Sequence, residues 1–392
     1  MPKQIIKGFI SQIRGVSYKP TDVVDAENGT PIIRANNIQD DGMIYDDLVF
    51  VAQQRIKDNQ LLKKGDIVIC TSSGSKNLVG KATTFSGYKT DMSFGAFCKV
   101  VRISSSSVNP DYIRLFFKSK TYREQISASS TGANINNIKT DHIDNLIINI
   151  PPVETQNIAV RELSTLIKSI SIKKQQLSAL NELVKSRFIE MFGHPDANEK
   201  GWEKSKLENF INVVGGYAFK SQKYLSKGIP VLRIGNINAG YFRDTNLVFY
   251  QEDSALEKYK IYPNDLVISL TGTAGKDDYG NICLMDSTYG VYYLNQRNAK
   301  IEIKHNFNRF FLMYLFAHPE IKQRLTGKNH GIRQGNILNK DILELDVYVP
   351  PIELQNEFAD FVKLIDKSKF IVQKQIDDLQ ELLDSKMDEY FG

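Results

Sequence analysis

The sequence predicts an α+β protein made of two tandem domains, each followed by a long helix, with the two helices packed against each other. The chain contains an internal repeat, because the segment Pro151–Asn157 (PPVETQN) recurs 199 residues later as Pro350–Asn356 (PPIELQN). The same shift relates residues 31–34 to residues 230–233. Within each copy, short apolar runs are followed by a long stretch with helical periodicity. A repeat of this size is usually a whole domain.

Short apolar runs bounded by Gly, Ser, Asn and Pro predict strands in the first part of each copy. They lie at residues 67–70, 98–103 and 146–150 in the first copy and at residues 266–269, 299–303 and 345–349 in the second. A helix-like stretch separates the second strand from the third, at residues 111–126 and 308–325. Strands and helices mixed within one domain predict the α+β class.

The double proline marks the change from strand to helix in both copies. Proline cannot donate to a sheet ladder, but it is tolerated at a helix start. The domains are therefore predicted at residues 1–152 and 198–351, and the helices at residues 153–193 and 352–392.

Apolar residues recur at heptad spacing along both predicted helices, interrupted by Lys173, Arg187, Lys369 and Lys386. A stripe along about 36 residues, some 54 Å of helix, would aggregate if it were exposed, so we expect the two stripes to bury each other. The alternative is that each helix covers its own domain. The residues predicted to pair the helices are Leu163, Leu166, Ile170, Leu177, Leu180, Val184, Val362, Ile365, Val372, Ile376, Leu379 and Leu383.

Composition limits the function classes only loosely. The 392 residues carry 50 Lys and Arg against 45 Asp and Glu, and the net charge of +5 permits a polyanionic partner without requiring one. Three cysteines without a close pair argue against a disulfide framework or a Cys-rich metal site. No apolar stretch approaches the roughly 20 residues that span a bilayer, and the chain begins with no signal-type segment. We expect a soluble, cytoplasmic protein with no membrane partner.

No complete catalytic motif is evident in the sequence. The nearest approach to a phosphate-binding Walker loop, residues 74–82, has the wrong spacing and lacks the hydroxyl that binds metal. Residues 109–112 resemble the tetrapeptide with which amino-methyltransferases hold a base, but Asp111 replaces the proline, so we interpret Asn109 or Asp111 as a helix cap. The five histidines show no metal-ligand spacing. We therefore predict no catalytic residue, no metal site and no cofactor bound by this chain.

Several motifs occur twice, in the same order and at nearly one spacing. They are the strand-Pro-Pro-x-x-x-Gln junction with the long helix after it, the Gly-to-Asn-Ile segment (residues 132–138 and 331–337) and the Pro-x-x-Arg-x-x-Asn-Ile stretch (residues 31–38 and 230–237). Over its full length the chain resembles the specificity subunit of type I restriction-modification systems.

That resemblance implies two target recognition domains, each binding half of a bipartite sequence in double-stranded DNA, separated by an antiparallel coiled coil of the two spacer helices. It also implies a subunit that is not catalytic. Such a subunit recruits two methyltransferase subunits, which use S-adenosylmethionine, and the full complex adds restriction and motor subunits. The helices would then set the spacing between the half-sites, so that a change in helix length changes the spacer and leaves both half-sites as they are.

Candidate DNA contacts lie in the polar, Gly-rich segments that differ between the copies. Arg pairs well with guanine, and Asn or Gln with adenine. Arg34 and Arg233, like Lys19 and Lys220, are shared, so a phosphate contact or a structural ion pair is favoured for them. Each other candidate has an alternative as a turn former or solvated loop residue, as with the loop at residues 272–276, which either cradles a phosphate or is only a turn. The candidates are Lys19, Arg34, Ser72, Ser73, Ser75, Lys76 and Asn134 in the first copy and Lys220, Arg233, Thr271, Thr273, Lys276, Arg297, Arg333 and Gln334 in the second.

Three other functions remain open at the level of sequence. The chain could be a free-standing bivalent DNA-binding protein that works without methyltransferase partners. It could be a self-contained restriction or methylation enzyme with a degenerate site. It could also be a scaffold of two domains that serves only assembly.

Overall fold

The computed structural model describes residues 3–39, 42–74, 78–129, 137–327 and 334–392, with the side chain of Gln334 excepted. The chain forms two compact units. Unit 1 contains Met1–Lys174 together with Lys374–Gly392, and unit 2 contains Gln175–Gln373. Each unit therefore holds one domain, the part of a long helix nearest to it in sequence, and part of the other long helix.

Two small sheets form the framework of the domain in unit 1. A four-stranded antiparallel sheet has the order Ile10–Arg14, Cys98–Ile103, Ile67–Cys70 and Ala82–Thr84. A three-stranded sheet has the order Val49–Ala52, Gly29–Ile33 and Ser93–Phe94, with the last pair parallel. Two strand pairs join Lys3–Ile5 to Ile147–Asn149 and Ile38–Gln39 to Gly42–Met43. The short α-helices are Pro110–Phe116, Lys120–Ser129 and Thr140–Asp144.

The domain in unit 2 repeats this plan. One four-stranded sheet has the order Ile211–Gly215, Asn298–Ile303, Leu266–Ser269 and Ile282–Leu284. The other has the order Val248–Tyr250, Ile229–Leu232, Tyr292–Leu294 and Lys260–Ile261. Two strand pairs join Glu203–Lys206 to Asp346–Val349 and Thr271–Thr273 to Gln334–Asn336. The short α-helices are Ile234–Ile237, Arg309–Ala317, Pro319–Thr326 and Asn339–Leu343.

The helix-like stretches 111–126 and 308–325, predicted as single stretches, are each two short helices. In unit 2, Pro319 begins a new helix because it has no N–H to donate and keeps the residue before it out of the helical region. In unit 1, the Ser119 hydroxyl accepts a hydrogen bond from the N–H of Tyr122 (3.1 Å) and begins the second helix in the same place. The predicted cap is confirmed at Asn109, whose side chain accepts from the N–H of Asp111.

The two long helices are Val153–Phe192 and Ile352–Phe391, of 40 residues each. Within each unit their segments run antiparallel. In unit 1, Glu162 near the start of the first long helix accepts a hydrogen bond from Tyr390 near the end of the second (3.0 Å). In unit 2, Arg187 near the end of the first helix meets Glu357 near the start of the second (3.2 Å). With the repeated α+β domains, this confirms the predicted fold class.

All twelve residues predicted to pair the helices are buried or half-buried. The half-buried ones are Leu166, Leu177, Leu180 and Leu379, and the remaining eight are buried. Burial of the apolar seam explains why the helices stay together, since each buried Leu, Ile or Val side chain contributes about 1.5–3 kcal/mol.

The ends of the long helices also complete the domain cores. In unit 2, Phe188 and Phe192 of the first long helix pack against Phe311 of the domain and Phe358 of the second long helix, with ring centroids 4.7–5.5 Å apart. In unit 1, Phe391 of the second long helix lies 4.9 Å from the ring of Tyr112. The C-terminal end of each long helix therefore packs on the domain of the other copy, whereas the predicted alternative had each helix cover its own domain.

The repeated Pro-Pro motif fastens each long helix to its domain through a buried glutamine. Gln355 is fully buried, accepts from the N–H of Asn308 (2.9 Å) and donates to the carbonyl of Pro350 (2.8 Å). The next motif residue, Asn356, accepts from the Asn308 side chain (2.8 Å). In unit 1, Gln156 and Asn157 make the same bonds to Asn109, and Gln156 donates to Pro151. We refer to these bonds as the glutamine clasp.

No helix in the described parts of the chain is both long enough and apolar enough to cross a membrane.

Candidate nucleic-acid interface

Three segments meet where the strand Ile67–Cys70 ends in unit 1. Ser72 forms an antiparallel bridge with Asn137. The N–H of Thr71 donates to the carbonyl of Phe97 (2.8 Å), and the N–H of Ile138 donates to the carbonyl of Thr71 (2.8 Å). We call residues 71–74, 95–97 and 137–138 the recognition edge of unit 1.

The same three segments meet in unit 2, at the end of the strand Leu266–Ser269. Thr271 pairs with Asn336, as Ser72 pairs with Asn137 in unit 1. The N–H of Leu270 donates to the carbonyl of Arg297 (2.9 Å), and the N–H of Ile337 donates to the carbonyl of Leu270 (2.8 Å). Residues 270–273, 295–297 and 334–337 are the recognition edge of unit 2.

A glycine fixes the middle segment of each edge. A Cβ atom on Gly216 would lie 2.1 Å from the carbonyl oxygen of Asn295, and one on Gly15 would lie 2.1 Å from that of Gly95. The backbones approach this closely because Val16 bridges Gly95 and Tyr217 bridges Asn295 in parallel register. Any side chain at either glycine would push the turn away from the edge.

The side chains on these turns differ completely between the units. In unit 1 the turn is Gly95-Ala96-Phe97, and Phe97 is 68% exposed. In unit 2 it is Asn295-Gln296-Arg297, with Gln296 and Arg297 exposed. These three side chains line a cleft of 490 Å³ with Arg233 and Phe219. The two turns therefore have the same backbone arrangement but side chains of different chemistry.

Sequence reasoning selected Arg297 in this turn and missed Asn295, Gln296 and Phe97. A signal was available, because the turn lies between two strands in both copies and its residues share no chemistry. An exposed phenylalanine and a run of three polar residues at one aligned position indicate a surface that differs for a functional reason.

The shared arginines make intramolecular bonds in both units. Arg34 donates to the Asp47 carboxylate (2.8 Å), and Arg233 donates to the carbonyl of Asn246. Asp47 and Asn246 occupy equivalent turns with φ of 54° and 55°. These bonds favour the structural role that the sequence left open for both arginines. The Nε atom of each arginine is nevertheless buried, and within the part of the chain that the structure describes it has no hydrogen-bond partner.

The Gly-Thr segment of unit 2 is part strand and part turn. The N–H and hydroxyl of Thr273 donate to the two carboxylate oxygens of Asp278 (2.8 and 2.9 Å), and the N–H of Lys276 donates to the Thr273 carbonyl (3.0 Å). Burial raises the pKa of Asp278, but the bonds from Thr273 outweigh it and the net pKa is lowered. These backbone donors are occupied within the chain, which favours the turn over a phosphate cradle. The Lys276 side chain is exposed.

The other candidates differ in how accessible they are. Lys19 and Lys220 are exposed, whereas Ser72 and Ser73 are half-buried. The Thr271 hydroxyl is buried, and no partner for it lies in the described parts of the chain, so it faces the protein interior. Ser75, Lys76, Asn134, Arg333 and the side chain of Gln334 lie outside the described residues.

Comparison with known proteins agrees with this repeated architecture. Residues 10–182 and residues 199–381 each match the family described as the type I restriction modification DNA specificity domain. The chain is 28% identical over 383 residues to the type I restriction enzyme EcoKI specificity subunit of Escherichia coli K12, covering 93% of this chain and 82% of that protein. It is 30% identical over 387 residues to the StySPI specificity subunit of Salmonella potsdam, covering 93% and 81%.

A solved structure shares the fold. The S subunit of a type I restriction-modification system from M. genitalium superposes with a TM-score of 0.54 at 15% identity, covering 100% of this chain and 96% of that one. The family match extends over nearly the whole of both repeats. The chain therefore belongs to the type I restriction modification DNA specificity family and carries the family's domain twice.

Proposed function

We propose that this chain is the DNA sequence-specificity subunit of a type I restriction-modification complex, in which each recognition edge reads one half of a bipartite target. The observation that carries the proposal is the contrast at each edge between one backbone and two sets of side chains. A frame that holds three segments in the same place while their side chains differ suits a protein that reads two different half-sites.

The chemistry of the unit 2 edge suits direct reading of bases. Arg297 has the fork of donors that pairs with guanine in the major groove, and Gln296 and Asn295 have the amides that pair with adenine. All three lie on one short turn beside an open cleft. We expect unit 2 to bind a half-site that contains guanine or adenine at the positions beneath this turn.

The unit 1 edge suits a different half-site. Exposed Phe97 can contact the methyl group of thymine, and Ser72 can donate to a base or accept from one. Lys19 and Lys220 follow aligned glycines and are exposed in both units, so we assign them to the DNA backbone.

The long helices suit the docking of two copies of one partner. Two pairs of apolar residues are exposed at equivalent positions of the two copies, Ile172 (51%) with Ile371 (57%), and Leu183 with Leu382 (47% each). Unit 1 contains Ile172 and Leu382, and unit 2 contains Leu183 and Ile371. Apolar residues exposed at matched places mark interaction surfaces more strongly than scattered ones. We assign these two sets of residues to two methyltransferase subunits.

The remaining partners follow from this assignment. S-adenosylmethionine would bind to the methyltransferase subunits, and restriction subunits would join the assembled complex. The complex would act in the cytoplasm, in keeping with three buried cysteines that form no disulfide.

The proposal is tested by expressing the chain with its methyltransferase partner and mapping methylated adenines in the host DNA. We expect one bipartite motif with an unread spacer. Arg297→Ala should relax preference at one position of one half-site, with a loss of about 1–3 kcal/mol in discrimination. Lys340→Ala, which removes an exposed charge from a short helix of the same unit, is the control and should leave the motif unchanged.

Two outcomes would contradict the proposal. If Arg297→Ala left the methylated motif unchanged, the recognition edge of unit 2 would not be the surface that reads bases. Sequence-specific binding by the isolated chain, with no gain when the methyltransferase is added, would favour the free-standing DNA-binding protein.

A further inference from the structure

The fold brings together two histidines whose spacing along the chain indicates no site. His194 follows the glycine that ends the first long helix, and His318 precedes Pro319 at the start of the helix Pro319–Thr326. Glu320 lies in the first turn of that helix. One ligand atom from each of the three side chains lies within 4.8 Å of the other two. All three residues belong to unit 2.

Two atoms in this cluster lack the partners that buried polar atoms require. Nδ1 of His318 and Oε2 of Glu320 are both buried without a hydrogen-bond partner among the described residues. They lie 3.7 Å apart, too far for a direct hydrogen bond. Buried polar atoms nearly always have a hydrogen-bond or metal partner. Two such atoms that lie close together without one indicate that a third group binds between them.

We propose that His194, His318 and Glu320 bind one divalent transition-metal ion of the zinc class. Two imidazoles and a carboxylate form a recognised zinc ligand set, with water in the fourth position. Ligands about 2.0–2.1 Å from a tetrahedral ion lie roughly 3.4 Å from each other. The pair of His318 and Glu320 already has nearly this separation, and His194, which is exposed, has room to rotate inward.

The ion would fasten a joint between helix and domain. His194 lies directly after the first long helix, whereas His318 and Glu320 lie at a corner between two short helices of the domain. The site would exist in one copy only, because the aligned positions for His318 and Glu320 in the first copy are Ser119 and Thr121. In unit 1 that corner is held by the Ser119 hydroxyl instead.

The test uses the full chain without a histidine tag, stripped of metal with a chelator. Titration with Co²⁺ should produce the visible absorption of a tetrahedral complex, and Zn²⁺ should displace it at one equivalent per chain. His318→Gln should weaken binding by roughly a hundredfold or more. His305→Gln, which changes an exposed histidine outside the cluster, should bind like the parent chain.

A second variant distinguishes the loss of a metal ligand from a loss of folding. His194→Gln changes an exposed residue after the helix, so it should fold normally and still lose most of the affinity. Far-ultraviolet circular dichroism and the fluorescence of Trp202, the one tryptophan in the sequence, report on folding. Retention of less than one ion per chain by the parent, or equal affinity in the His194, His318 and His305 variants, would overturn the proposal.

Discussion

At the scale of single residues, the structure explains the motif that first revealed the repeat. The prolines end a strand and begin a helix, which follows from their chemistry alone. The glutamine five residues after the first proline has a role that no sequence pattern predicts, because its partners lie 47 and 49 residues earlier along the chain. The two copies agree on this residue because both must fasten a long helix to its domain.

Replacing the buried glutamine of the clasp should destabilise unit 2. Gln355→Leu leaves the N–H of Asn308 and the carbonyls of Asn306 and Pro350 without their partner, at a cost of about 3 kcal/mol. Urea unfolding followed by the fluorescence of Trp202, which lies in unit 2, measures the change. Glu353→Gln alters an exposed residue of the same helix turn and should stay within about 0.5 kcal/mol of the parent. Equal stability of the two variants would show that the clasp does not hold the helix.

The three cysteines should resist thiol reagents in the folded chain. Burial raises the pKa of Cys283 to about 12, and it also raises the pKa of Cys70 and Cys98. At pH 8 the reactive thiolate is therefore scarcer than in an unfolded chain, and the sulfurs are shielded as well. A colorimetric thiol assay should find slow reaction in buffer and three thiols per chain in denaturant. Rapid labelling of any cysteine in buffer would contradict this.

At the scale of elements, two of the four basic residues that interrupt the heptads form ion pairs with the other long helix. Arg187 pairs with Glu357 of the other long helix, and Lys386 lies 3.7 Å from Glu162 of the other long helix. The guanidinium of Arg187 also lies over the ring of Phe361, 5.9 Å from its centroid. A heptad pattern treats Arg187 and Lys386 as interruptions, whereas in three dimensions they form ion pairs along the edge of the apolar seam.

The exposed apolar pairs on the long helices should control partner docking. The double variant Ile172→Asp and Leu382→Asp changes exposed positions that both belong to unit 1, so folding should be preserved and one methyltransferase subunit lost. Native mass spectrometry of the complex counts the subunits. Ser164→Asp introduces one negative charge at an exposed polar position of unit 1 and should leave two subunits bound. A complete complex from the double variant would rule out this docking surface.

At the scale of the whole molecule, the repeat predicts most of the architecture. The predicted core strands at residues 67–70, 98–103 and 266–269 are found as predicted. Both long helices begin directly after their second proline. These elements were predictable because strand alternation, heptads and proline are local signals. The meeting of three segments at each recognition edge and the metal-binding cluster were not predictable, because each depends on contacts between segments far apart in sequence.

Lengthening both long helices should change the spacer and not the half-sites. One heptad inserted after Lys174 and another after Gln373, at equivalent positions, adds roughly 10 Å to each helix while keeping the seam in register. This corresponds to about three base pairs of duplex. Methylation mapping should find both half-sites unchanged around a longer spacer, whereas an altered half-site would refute the role of the helices as a ruler.

The matched control is a heptad inserted after Lys174 alone. It shifts one side of the seam against the other, so the complex should lose stability in thermal unfolding without acquiring a new motif. A single insertion that lengthened the spacer as well as the double one would show that the helices need not pair.

The duplication, the α+β class, the long helices and the resemblance to a specificity subunit can all be read from the amino-acid order, because they depend on order and periodicity along the chain. Which residues meet in space depends on the folded chain. Strand ends bring residues 71–74, 95–97 and 137–138 to one edge through backbone hydrogen bonds. The same folding turned Arg34 and Arg233 toward neighbouring turns and placed His194 beside His318. Proximity across long loops depends on the packing of all the elements between, and no local pattern records it.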